Sequence, residues 1–239
     1  MKVGVMGGSF NPIHIGHLVA ANEVAHKMAL DRVYFVLSAR PPHKDEQELF
    51  NQESRYRMME LALAGNPVFR PSRVEMDRPG PSYTIDTMRH YKDKYGESVY
   101  FILGQDAMED IGHWHSAPTL LKTLNFIVVA RPGYDASALM EVLQGVLSAM
   151  YKNIRIIHAG HEDGDDVYSV EGSSTTIRVI RITQLDISSS SIRRRIAARE
   201  PIKYLVPGVV ERYLIEEEVL PSERGLAEAG EGEENGNGD

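Results

Sequence analysis

The sequence contains no cysteine, so disulfides, thiolate zinc sites, iron–sulfur clusters and cysteine nucleophiles are excluded before any motif is read. That absence fits a reducing, cytoplasmic address. No apolar run approaches the ~18 residues a membrane helix needs, and the opening MKVGVMGGSF is broken at once by glycines, so neither secretion nor membrane spanning is expected. An excess of charge of one sign is also missing from most of the chain. The formal net charge is −8, but residues 216–239 hold nine acids and one base, Arg224, and so carry all of it. Residues 1–215 are therefore electrically balanced. A neutral body argues against wholesale binding of a nucleic-acid backbone and leaves room for a local cluster that meets a few phosphates. A small substrate follows, with no nucleic-acid or membrane partner; a homo-oligomer is compatible with the composition.

What is present is enough for one well-filled core. The chain has 239 residues, 42% of them hydrophobic and 25% charged, a composition that excludes collagen-like and wholly disordered classes. We read residues 1–220 as a single domain and residues 221–239, which lack apolar spacing, as a disordered acidic tail. Short runs rich in Val, Ile and aromatics predict strands at 2–6, 33–37, 68–75, 99–103, 126–130, 154–158 and 177–182. Helical periodicity predicts helices at 15–29, 53–64, 84–95, 136–151, 190–198 and 208–217. This alternation predicts an α/β fold: a doubly wound, largely parallel sheet of Rossmann-like type, with ligands at the carboxyl ends of its strands. Residues 159–174, AGHEDGDDVYSVEGSS, break the rhythm. They read as a long polar hairpin loop or mobile insertion, and Asp163, Asp165 and Asp166 do not follow calcium-loop spacing. No metal ligands are assigned.

The strongest chemical signal is GGSFNPIHIGH, residues 7–17. Gly7 and Gly8 mark a turn after the first strand where a phosphate can approach backbone closely, and the helix that follows offers unpaired N–H groups and a positive dipole end. His14 and His17 stand three apart and share a face of its first turn. They can donate hydrogen bonds to a phosphate; equally, such a pair can bind a metal or be two half-buried histidines. The spacing matches neither the Walker pattern nor the three-glycine dinucleotide pattern. A second signal, ISSSSIR at 187–193 followed by Arg194 and Arg195, places Ser188, Ser189 and Arg193 at another helix start after a strand. It is a second anion site or merely a capped, solvated basic face. Lys44 lies in a loop just after the second strand, where it can steer a phosphate or remain a solvated charge.

GGSFNPIHIGH together with ISSSSIR resembles the nucleotidyltransferase superfamily, whose HxGH element is shared with class I aminoacyl-tRNA synthetases. Within it the chain is similar to the bacterial nicotinate-nucleotide adenylyltransferase family, whose traits recur in order: PPHK at 41–44, RYRMMELA at 55–62, RPGPSYTIDTM at 78–88 and FILGQDAMEDIGHWH at 101–115. The landmarks run from residue 3 to about residue 213. Two departures stand out: Ser190 where the family usually has Thr, which keeps the hydroxyl, and the length of residues 159–174.

The resemblance implies transfer of the adenylyl group of ATP to nicotinate mononucleotide, giving nicotinate adenine dinucleotide and pyrophosphate. Gly8, Ser9 and Phe10 would cradle nucleotide phosphates, and His14 and His17 would bind the α- and β-phosphates. Ser188, Ser189 and Arg193 would hold the departing β,γ-phosphates. Gly104 and Asp106, after the fourth strand, would meet the adenosine. Mg²⁺ would arrive on the ATP, held by phosphate oxygens and water rather than by a protein cage. The nicotinate moiety would lie at Ser82, Tyr83, Thr84 and Ile85, where a helix N-terminus suits a carboxylate, with Trp114 stacked on the pyridine ring. A phosphopantetheine adenylyltransferase, a class I synthetase fragment and a non-catalytic nucleotide sensor are the competing readings; the first lacks need of the GPSYTIDT and Trp114 segments.

Overall fold

The computed structural model describes residues 1–40, 49–130, 135–151, 153–183 and 185–216. Lys44 and the tail from residue 221 lie outside them. An eight-stranded sheet has the order β3-β2-β1-β4-β5-β8-β7-β6, with β1 Val3–Gly8, β2 Arg32–Leu37, β3 Phe69–Ser72, β4 Val99–Gly104, β5 Asn125–Ala130, β6 Ile156–Glu162, β7 Asp165–Val170 and β8 Thr176–Arg181. The pairings from β3 through β8 are parallel. Only β7, against β8 and against β6, runs antiparallel to its neighbours.

Period-two alternation in these strands feeds two cores, one on each face. Val3, Val5, Phe101, Leu103, Phe126 and Val128 point to one side; Met6, Phe35, Leu37, Ile102 and Ile127 point to the other. On the first face pack α3 (Thr84–Tyr95) and α6 (Ala136–Met150), through Ile85, Met88, Leu139 and Leu143. On the second pack α1 (Ile15–Lys27), α2 (Gln52–Leu63), α7 (Ser189–Ala197) and α8 (Gly208–Glu216), through Val24, Met58, Ile192 and Val210. The doubly wound class is therefore as expected. Two further short helices, α4 (Gln105–Glu109) and α5 (Ala117–Thr123), with a 3₁₀ turn at Ile111–His113 between them, were not legible as periodic runs because they are too short to show a full apolar face.

Three expectations need correction. Gly7 and Gly8 are not a turn: they are the last residues of β1, in register with Val36 and Leu37. The chain turns after them, at Phe10, which takes φ 41°. The run at 68–75 is a strand only over Phe69–Ser72, and residues 74–76 turn away from the sheet. Residues 159–174 are not a long loop. They form most of a β-hairpin, Glu162 pairing Asp165 across a tight turn at Asp163 and Gly164, whose φ values of 51° and 81° are what a two-residue hairpin turn requires.

Candidate active site

The order β3-β2-β1-β4-β5 reverses direction between β1 and β4, and such switch points open a crevice at the strands' carboxyl ends. A cavity of about 770 Å³ lies there. Gly7, Gly8 and Ser9 line it from β1, and Leu103, Gly104 and Asp106 from the end of β4. Ser82, Tyr83 and Thr84 line it from the start of α3, and Trp114 from the loop before α5. Nine residues singled out from sequence, namely Gly7, Gly8, Ser9, Ser82, Tyr83, Thr84, Gly104, Asp106 and Trp114, thus converge on one cleft although they are scattered from residue 7 to residue 114. A Cβ built on Gly104 would meet nothing within 4 Å, whereas one on Gly8 would press on the Phe10 ring at 3.1 Å. Gly8 is bare so that Phe10 can fold under it.

That packing decides the place of Phe10. It is 1% exposed and its ring meets the edge of the His17 ring at 5.1 Å, so the side chain supports the loop from below. Ile85 is likewise buried in the core beneath α3 and does not line the cleft.

Beyond the Ser9 end of the cleft stand the two histidines. His14 caps α1 and is 6% exposed; its ring stacks on that of His17 at 3.6 Å between centroids. A Cβ on Gly16 would come within 3.1 Å of His14 Nδ1, so glycine between the histidines lets that ring lie flat against the helix. Burial holds the His14 pKa down to about 4, and the imidazole is neutral near pH 7. The His14 backbone N–H donates to His17 Nδ1 at 3.2 Å. With Nδ1 accepting, the His17 proton resides on Nε2, which becomes a donor.

The serine–arginine element docks on the same loop. Ser189 Oγ donates to the Pro12 carbonyl at 2.9 Å, and Arg193 Nη1 donates to the Asn11 carbonyl at 2.9 Å. Ser188 Oγ accepts from the Ser191 N–H at 3.1 Å and caps α7. Both serine hydroxyls are therefore committed to structure, leaving the start of α7 and the Arg193 guanidinium facing the histidine loop. The two motifs 170 residues apart in sequence form one structural unit.

Sequence reasoning missed two supports. Arg55 is 1% exposed; among the described residues its guanidinium donates to the carbonyls of Phe50, Ser9, Ser38 and Ala39 at 2.9, 2.9, 2.9 and 3.2 Å. Burial lowers its pKa to about 10, which leaves it charged. It staples the ends of β1 and β2 to the start of α2. Glu75 is 7% exposed and lines the cleft. Its Oε1 accepts from the Thr87 hydroxyl at 2.6 Å, its Oε2 has no hydrogen-bond partner among the described residues, and burial pushes its carboxyl above the usual range. Arg55 opens the RYRMMELA run but neither residue's role is legible in the sequence, because a charged residue in a helical or strand-like run reads as solvated surface. His113 and His115 also line the cleft, and His115 stacks on Tyr83 at 4.3 Å.

Residues 5–195 match the cytidylyltransferase-like family. The chain is 40% identical over 216 residues to a probable nicotinate-nucleotide adenylyltransferase of Thermoanaerobacter sp., covering 90% of this chain and 92% of that one. It belongs to the nicotinate-nucleotide adenylyltransferase family. A second relative, the probable nicotinate-nucleotide adenylyltransferase of Geobacter sulfurreducens, is 39% identical over 221 residues, with 92% and 98% of the two chains covered. Among solved structures, the fold is shared with the Plasmodium falciparum nicotinic acid mononucleotide adenylyltransferase complexed with NaAD, at a TM-score of 0.66 and 17% identity over 90% of this chain and 95% of that one. Members of this family are nucleotidyltransferases, and enzymes of this kind use a divalent metal with ATP. Among the described residues no helix is long and apolar enough to cross a membrane.

Proposed function

We propose that this chain, as a single domain over residues 1–220, joins the adenylyl group of ATP to nicotinate mononucleotide and releases pyrophosphate. The observation that carries the reading is the single cleft running from the bare strand end at Gly7 and Gly8 to the start of α3 and Trp114, with the histidine pair and Arg193 beside its Ser9 end. One end suits phosphates; the other suits a flat ring bearing a carboxylate.

In this reading an oxygen of the mononucleotide phosphate attacks the α-phosphorus of ATP in line. A new P–O bond forms as the bond to the bridging oxygen breaks, and its electron pair leaves with pyrophosphate. The nucleophile is already ionised, so no protein base or covalent intermediate is needed; the protein aligns two polyanions and stabilises the charge that spreads over the phosphate oxygens. His17, with its proton on Nε2, donates to the α-phosphate. His14 and the N–H groups at the start of α1 serve the adjacent oxygens. Arg193 and the start of α7 face the departing phosphates, Ser188 and Ser189 hold that helix start in place, and Lys44 stands as a steering charge. Gly104 and Asp106 take the adenosine.

Mg²⁺ is the expected metal. Around the histidine loop the donors are imidazole and guanidinium nitrogens, which suit phosphate rather than a hard cation. Magnesium bound through phosphate oxygens would neutralise the leaving group.

Selectivity is assigned to the start of α3. A carboxylate accepts from two backbone N–H donors, whereas an amide turns its NH₂ group on one of them and leaves a buried N–H unpaired, at about 1–3 kcal/mol, with lost charge near the helix start adding to it. The test is pyrophosphate release with ATP and each mononucleotide. Nicotinate mononucleotide should be favoured over nicotinamide mononucleotide in kcat/KM by well over about tenfold, and Thr84→Ala should keep most of that preference because the donors are backbone groups. A ratio near one would remove the pyridine pocket from α3, and turnover with 4′-phosphopantetheine instead would replace the substrate.

A further inference from the structure

We propose that the β6–β7 hairpin carries a metal site, of the zinc class, formed by His158, His161 and Asp166. Nitrogen or oxygen atoms of these three side chains lie within 4.8 Å of one another. The site owes its existence to an irregularity. Residues three apart in a regular strand point to opposite faces, and sequence alone therefore separates His158 from His161. The register of β6 against β7 shifts between His158 and Gly160, where Gly160 takes φ 130°. That bulge inserts one residue and turns both rings to the same face, with centroids 5.0 Å apart.

Asp166 sits opposite His161 in the ladder and serves both rings. Its Oδ1 is 3.0 Å from His161 Nδ1 and 3.7 Å from His158 Nε2. An ion bound tetrahedrally at zinc–ligand distances needs its donor atoms about 3.3 Å apart. Both carboxylate–imidazole edges already bracket that spacing. Only the edge between the two imidazoles must close, and those side chains are 46% and 67% exposed, free to turn about χ1 and χ2. Asp166 itself is 9% exposed, and Arg181 Nη2 holds its other oxygen at 3.3 Å, the kind of outer contact that orients a ligating carboxylate. Elsewhere on the hairpin, Arg178 pairs with Glu162, Asp163 and Asp165, and Lys27 with Asp165.

Two imidazoles and a carboxylate select zinc or a neighbouring borderline ion rather than magnesium, and leave a fourth position open. The site is also remote from the cleft: β6 stands five strands from β1, about 24 Å across the sheet at ordinary strand spacing. Its ion would clamp the outermost strand to β7 across the bulge.

The test uses the full chain, stripped with chelator and free of ATP, titrated with Zn²⁺ in competition with a chromogenic chelator. One ion per chain should bind, and thermal unfolding should move to higher temperature with zinc. The His158→Ala, His161→Ala double variant should lose affinity by about 100-fold or more and lose the thermal shift. His161→Gln, at an exposed side chain, should show the same direction with an unchanged circular dichroism spectrum. Co²⁺ should give the visible bands of a four-coordinate N/O site in the native chain alone. Undiminished zinc binding by the double variant, as would occur if the ion sat on His14 and His17, overturns the proposal, as does failure of the native chain to bind zinc.

Discussion

At the phosphate end of the cleft the chain is held together through its own backbone: Arg55, Ser189 and Arg193 all donate to carbonyls of the loops around residues 9–12, 38–39 and 50. At the ring end the lining is made of side chains, with Tyr83 against His115, Trp114 edge-on to Phe101 at 6.1 Å, and Glu75 bonded to Thr87. A phosphate presents the same oxygens whatever molecule bears it, so it can be met by backbone and fixed cations. A heterocycle is recognised by the shape and edge of its face, which only side chains supply. The first end should therefore fail in catalysis and folding when disturbed, the second in substrate binding.

The largest expected effect sharpens this division. His17→Ala should lower kcat by about 100- to 1000-fold, the usual cost of one preorganised donor, with a much smaller change in KM for nicotinate mononucleotide. Steady-state pyrophosphate release separates the two, and an unchanged kcat would take the histidine pair out of the transition state. Arg55→Met should destabilise the fold by about 3 kcal/mol or more, because four carbonyls lose a charged donor in a buried place. Urea unfolding measures this, and a native-like midpoint would show that the carbonyls find other partners.

His14 gives a pH-dependent version of the same contrast. The unfolded chain takes up a proton near pH 6.5, while the folded imidazole resists until about pH 4. The unfolded state therefore binds more protons in that window, so stability falls as pH drops through it, by about 3 kcal/mol in total. Replacing His14 with Asn should remove that part of the acid sensitivity, visible as a narrower gap between unfolding midpoints at neutral and acid pH. Identical pH profiles for the two proteins would mean His14 protonates without penalty. The smallest effect belongs to the ring end: Trp114→Ala should weaken both mononucleotides by about 2- to 10-fold through loss of a stacking face, leaving kcat nearly intact. Normal binding by this variant would break the comparison at its second half.

The phosphate end was readable from sequence because its motifs are contiguous. GGSFNPIHIGH begins in the last residues of a strand, ISSSSIR follows one, and each opens a helix; local pattern places helix starts. The ring end was readable only in part. Ser82, Tyr83, Thr84 and Trp114 could be picked out, but Glu75, His113 and His115 reach the cleft from a turn and from short helical pieces with no period to detect. Even where motifs were visible, their division of labour was not. Phe10 lies under the loop, and Ser188 and Ser189 cap and tether α7.

Sequence by itself determined the doubly wound sheet, because period-two and helical periodicities alternate, and it determined that phosphate chemistry sits at strand ends, because glycines and helix starts are written locally. Tertiary structure alone decided what depends on contacts between distant segments. It brought α7 onto the residue 11–12 loop, drew a buried arginine from α2 to four carbonyls, and turned His158 and His161 to one face through a bulge at Gly160. Hydrogen bonds and register are set by what lies across the gap, and a linear pattern carries no information about the opposite side of that gap until the sheet has closed.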